Sequence, residues 1–177
     1  MKKPAFTLIE LIVALAIVSL LVAAISMILS LNLSFTNKAY LDEKSYKQAS
    51  HAALYIEDKV RRAYKIEKND LSGDKFTLYI SSYNKDKRAF EESTYKFILE
   101  GKVLYAQVSN LDTPSDKGGK FRICELEYLS LRYDDTDKKN QYVEMIVGGK
   151  SKNSRIETYI NLGEREWKGA LLVSMFC

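Results

Sequence analysis

Histidine, proline and cysteine are nearly missing from this chain of 177 residues, which holds one, two and two of them. A single imidazole, His51, excludes a catalytic triad and a histidine-based metal cluster, so it reads as a packing or surface residue of a helix. Cys124 and Cys177 are too few for a disulfide framework and lack C-x-x-C spacing; they allow one bridge or two packed thiols. Charge of one sign is also scarce. Removing Lys2 and Lys3 from the 27 basic residues leaves 25 against 23 acidic ones, too even for the basic stripe of a nucleic-acid binder.

Two further absences shape the amino-terminal third. No charged residue occurs from Leu11 to Asn37, and no proline or glycine between Pro4 and Gly73. An uncharged, largely aliphatic stretch of that length spans a bilayer as a helix, for which about 20 apolar residues suffice. Lys2 and Lys3 flank one side only, which leaves the amino terminus in the cytoplasm and the remainder outside.

Past Asn37 the pattern turns amphipathic without a break. Ala39, Tyr46, Ala49, Ala53, Ile56, Val60 and Ala63 mostly follow steps of three and four, with charged residues between them. One helix is therefore predicted from about Phe6 to about Tyr64, on the order of 85 Å at 1.5 Å per residue. Beyond "KNDLSGDK" the period changes to that of strands. "KFTLYIS" precedes "STYKFILEGKVLYAQV", with a tight turn at Glu100 and Gly101, and "FRICELEYLSLRY", "QYVEMIV" and "RIETYINLG" follow. The fold class is α+β: a long amino-terminal helix whose apolar stripe is covered by an antiparallel sheet. "GALLVSMFC" reads as a last buried strand, and "TPSDKGGK", residues 113–120, as the clearest loop.

Other candidate sites dissolve on their chemistry. Asp134, Asp135, Asp137 and Asn140 lack the glycine and distal glutamate of a calcium loop and have Lys138 and Lys139 alongside, so they read as a solvated turn. "GGK" at 118–120 lacks the other residues of a phosphate loop and reads as a flexible turn. Nothing assembles a nucleophile with its base, a metal shell or a nucleotide cradle, and no enzyme and no cofactor are expected.

Glu10 is the residue that needs explaining, because insertion scales charge an ionised side chain roughly 2.5–3.5 kcal/mol at mid-bilayer. Cleavage after Ala24, as for a secretory signal, would remove it; an uncleaved anchor would carry it as an incidental acid. Cleavage between Ala5 and Phe6 instead puts the new α-amino group four residues from Glu10, on one helical face. The two could then neutralise each other within a chain or between chains.

"KKPAFTLIELIVALAIVSLL" resembles the amino-terminal signal of type IV pilins and type II secretion pseudopilins, with alanine where glycine is usual before the cut. The resemblance implies cleavage between Ala5 and Phe6 by prepilin peptidase, N-methylation of Phe6, and assembly into a filament with Glu10 pairing to a neighbouring amino terminus. It implies a leader (1–5), a membrane and filament-core helix (6–37), an amphipathic continuation (38–66) and a β-rich head (67–177). The absence of a proline near Met27, and the likeness of "YKFILEGKVLYAQV" and "LEYLSLRYDD" to the sheet of J-type subunits, point to a minor member. Expected partners are the peptidase, other subunits and, before assembly, membrane lipid, with the head outside the cytoplasm. A single-pass adhesin, or a competence-pilus subunit with weak DNA affinity, is the alternative.

Overall fold

A computed structural model describes residues 7–111 and 118–163 and, of Lys152, the backbone alone. Helix α1 runs Leu8–Arg62 without interruption, as the lack of any breaker requires. The strands are β1 (Lys65–Lys68), β2 (Phe76–Asn84), β3 (Ala89–Glu100), β4 (Val103–Asn110), β5 (Gly119–Glu125), β6 (Tyr128–Asp134), β7 (Gln141–Gly148) and β8 (Arg155–Gly163). They form two antiparallel sheets, β1-β2-β3-β4-β5 and β6-β7-β8. The chain divides into two compact units, Met1–Leu41 and Asp42–Cys177. The fold is thus α+β, with antiparallel sheets and a long apolar amino-terminal helix.

Within the second unit one core joins the helix to both sheets. Ala49, Ala52, Ala53, Ile56 and Val60 of α1 are buried together with Phe76, Leu78, Ile80 and Leu104 of one sheet and Val143, Met145, Val147 and Ile160 of the other. Four of the six stripe positions from Ala49 to Ala63 are alanine, which lets the helix backbone approach closely. Tyr55 leans edge-on against Phe97 at 6.3 Å between ring centroids, extending the contact to β3.

The stripe differs from its sequence reading at one end. Ala39 and Tyr46 are exposed, and the buried position is Ser45. Its hydroxyl donates to Ser154 Oγ at 2.9 Å and accepts from Ser151 N at 3.0 Å, which satisfies a group that burial would otherwise penalise. Gly149 lies against the same serine: a Cβ there would sit 2.7 Å from the Ser45 carbonyl oxygen and 2.9 Å from Ser154 Oγ. A serine on the helix and a glycine in the β7–β8 connection therefore fix one closest approach.

Three boundaries also depart from expectation. The helix ends at Arg62 rather than about Tyr64, and Tyr64 N already donates to Tyr79 O at 2.9 Å; Lys65 and Ile66, the end of the expected amphipathic continuation, belong with Glu67 and Lys68 to β1, of which Ile66 alone is buried. The β3–β4 turn is made by Gly101 (φ 55°) and Lys102 (φ 66°), closing on Glu100↔Val103, one residue later than expected. "FRICELEYLSLRY" is two strands in different sheets, because Leu126, 2% exposed, turns into the core and its amide donates to Lys102 O at 2.9 Å.

"GGK" is likewise no free turn. Gly119 opens β5, and Gly118, at φ 70°, passes so close to β4 that a Cβ would lie 2.6 Å from Val108 O. Residues 112–117 and the proposed last strand in "GALLVSMFC" lie outside the described residues.

Gly149→Ala is expected to lower stability by about 1–3 kcal/mol, the usual cost of overpacking a tight contact. Thermal unfolding of the full-length chain in detergent checks this, and the paired change Ser45→Gly with Gly149→Ala should recover part of the loss.

Candidate functional site at the start of the apolar helix

The amino-terminal end of α1 is built by Thr7 and Glu10, three residues apart. A helix leaves its first amide groups without internal acceptors, and polar side chains at the first turn supply them. Thr7 Oγ1 accepts from Glu10 N at 3.4 Å, while Glu10 Oε2 accepts from Thr7 N and from the Thr7 hydroxyl, each at 2.9 Å. This reciprocal arrangement is a capping box. The carboxylate also sits in the first turn, where the helix dipole favours negative charge.

The box uses one carboxylate oxygen. Among the described residues Oε1 of Glu10 has no hydrogen-bond partner, so it can accept from a further donor without opening the cap. Ala5 and Phe6, the expected cleavage pair, lie outside the described residues.

Thr7 went unnoticed in the sequence reading. The T-x-x-E spacing of Thr7 and Glu10 ahead of an apolar run is the signal that identifies it. Leu11 N donates to Thr7 O at 3.3 Å, which marks Thr7 as the residue just outside the first turn.

Beyond the cap, α1 is apolar around its circumference. Every described residue up to Leu41 is exposed, including Leu15, Leu20, Ile25 and Leu31, and the helix is long and apolar enough to cross a membrane. Three of its hydroxyls are handled locally. Ser19 donates to Ala16 O, Ser26 to Val22 O and Thr36 to Asn32 O, each at 2.8 Å, so these groups need neither water nor a neighbour.

Residues 1–26 match the family model of the prokaryotic N-terminal methylation motif. The chain carries a type IV pilin-like amino terminus. That motif is the one prepilin peptidase acts on, and in this pilin-like segment it encloses the whole capping box. No curated protein and no solved structure matches the chain.

The remaining sequence candidates lie elsewhere. His51 is exposed on α1. Asp134 Oδ1 accepts from Thr136 N at 2.9 Å, and the Thr136 hydroxyl and amide hold its carboxyl below the usual aspartate range. Asp137 accepts from Lys139 N and Asn140 Nδ2, at 3.0 and 2.8 Å, and Asp135 pairs with Lys68. These carboxylates are engaged in the β6–β7 turn. Cys124 is half-buried on β5 opposite Leu104, and burial, with a smaller contribution from Glu125, pushes its thiol up. Cys177 lies outside the described residues.

Thr7→Val keeps the shape of the cap residue and removes its hydroxyl. In micelles the amides of Leu8 to Glu10 are expected to exchange about fivefold faster, equivalent to the ~1 kcal/mol of an N-cap hydroxyl; unchanged exchange would show that the cap is not formed there.

Proposed function

We propose that the chain is a minor pilin or pseudopilin, a structural subunit of a type IV pilus-like filament and not a catalyst. The observation that carries this reading is the Thr7–Glu10 box at the mouth of an exposed apolar helix, inside a matched methylation motif. Prepilin peptidase cuts between Ala5 and Phe6 on the cytoplasmic side, and the new Phe6 amine is methylated. The leader is residues 1–5, the membrane and filament-core helix 6–37, its amphipathic continuation 38–66 and the head 67–177. The head stands outside the cytoplasm, the helix rests in lipid before assembly, and other subunits are its partners afterwards.

The chemistry follows from the cap. The free Glu10 oxygen is the acceptor for a Phe6 ammonium, its own or that of a neighbour. A charge pair in apolar surroundings contributes position more readily than net stability, so the pair sets the axial registry of subunits while apolar packing supplies the affinity. Contacts of this kind are heterologous and propagate rather than close.

Mass spectrometry of the first peptide of the native protein should find N-methylphenylalanine at Phe6. An unprocessed terminus, or one beginning after Ala24, would favour the anchored-adhesin or secreted alternative. Glu10→Ala is expected to leave processing intact and to reduce incorporation into filaments at least tenfold, scored by immunoblot of sheared fibres; Glu10→Gln, which keeps an oxygen acceptor without the charge, should fall between the two.

A further inference from the structure

The hairpin of β2 and β3 runs out beyond the rest of its sheet. β1 accompanies β2 only as far as Lys65↔Tyr79, and β4 leaves β3 at Ser93↔Asn110, where Leu111 N donates to Glu92 O at 2.9 Å. From Ser81 to Glu91 the two strands therefore pair with each other alone among the described residues. A two-stranded ribbon is marginal unless something braces it. Tyr83 and Phe90, directly opposed, meet at 5.3 Å between ring centroids, and Asn84 Oδ1 accepts from Asp86 N and Lys87 N at 2.9 and 3.2 Å, which fixes the connecting loop.

The bracing leaves the rings uncovered, with Tyr83 53% exposed and Phe90 71%. Beside them stand three exposed cations, Lys85, Lys87 and Arg88, against Asp86. Lys87 pairs with Glu91 at 2.7 Å, whereas Lys85 and Arg88 have no ion-pair partner among the described residues. Arg88 holds φ 49°, a conformation that suits glycine better than a long side chain.

A surface of the opposite kind lies on the other sheet. Val143, Met145 and Val147 of β7 are buried, so by the two-residue period Tyr142 and Glu144 face away from the core. Tyr142 and Tyr159 meet at 6.0 Å between centroids. The Tyr159 hydroxyl lies 3.2 Å from Glu144 Oε1 and 3.3 Å from Glu157 Oε1, and the Tyr142 hydroxyl 3.2 Å from Asp134 Oδ2. Three carboxylates thus hold two rings, and Tyr159 is still 59% exposed. Two arginines share the face: Arg155 is 3.6 Å from Glu157, and Arg132 stands opposite Glu144 in the register.

We propose that the ribbon of one copy docks on this tyrosine and carboxylate face of a second copy. The charges complement one another, cations being in excess on the ribbon and carboxylates on the face. Each side also presents an opposed pair of rings, so the aromatic surface left bare on one finds apolar cover on the other. Tyr83 is out of phase with the buried Leu78 and Ile80, as Tyr142 is with Val143, so both patches turn away from the core and a chain cannot seat its ribbon on its own face. Ribbon and face are different patches, which makes the contact heterologous. It involves the second unit alone and is separate from the Glu10 pairing.

The test is sedimentation velocity of the full-length chain in density-matched detergent. The native chain is expected to self-associate, and severalfold more weakly when salt is raised from about 0.1 to about 1 M, which shortens the screening length from roughly 10 to 3 Å. Lys85→Glu with Arg88→Glu, and separately Glu144→Lys with Glu157→Lys, should each weaken association at least tenfold without changing the unfolding temperature; Glu157→Lys alone serves if the second pair lowers it. An equimolar mixture of the two variants should recover association, because the intact face of the first meets the intact ribbon of the second. A native chain that stays monomeric, variants that associate as it does, or a mixture that recovers nothing would overturn the proposal. Association lost in Glu10→Ala and untouched by the charges of the second unit would assign it to the apolar helices, overturning this contact while leaving the filament reading intact.

Discussion

The fold of the second unit depends on the narrow stripe that runs from Ser45 to Ala63. Both sheets bury their inner faces against it, and it is made almost entirely of alanine, serine and two larger aliphatics. A stripe of larger side chains would hold the sheets away from the helix; alanine admits them, and Ser45 with Gly149 marks the closest approach. The charges beside the stripe play a smaller part. Lys47 with Glu43, Arg61 with Glu57 and Arg62 with Asp58 are exposed pairs one turn apart, worth a few tenths of a kcal/mol each.

The same helix meets a different demand in its first part, where no side chain is buried by its own chain. Polar groups there must be satisfied without help. The hydroxyls of Ser19, Ser26 and Thr36 return to carbonyls of their own helix, and the acid that would be hardest to place is drawn into the cap. The cap gives the helix a defined start and, among the described residues, leaves one Glu10 carboxylate oxygen without a hydrogen-bond partner. Structure and motif therefore bear on the same few residues: Thr7 and Glu10 organise the end of the helix that the matched methylation motif encloses.

Much of this was legible in advance. The uncharged run, the missing breakers and the alternation of "KFTLYIS" or "QYVEMIV" specify helix and strand by their periods alone. What escaped was decided by tertiary contact. "KIEK" continues a charged helix in composition, and only pairing to β2 makes it a strand. Ser45 looks like a surface residue until Ser151 and Ser154, more than a hundred positions away, supply its hydrogen bonds. The split after Glu125 is made by the Leu126 amide bonding to Lys102 O, a contact that no local pattern announces. At the site, Glu10 stood out as an anomaly while Thr7 did not, because a threonine costs little in any setting and its meaning comes from the residue three places on.

From Leu11 to Leu29 the helix carries only two polar side chains, Ser19 and Ser26, and each is tied to its own backbone. A surrounding of hydrocarbon thus finds nearly the same surface at every azimuth, and gives the rod no torque about its long axis. Its angular setting is left to contacts at its two extremities, the cap of Thr7 and Glu10 at one and the point where α1 enters the second unit at the other.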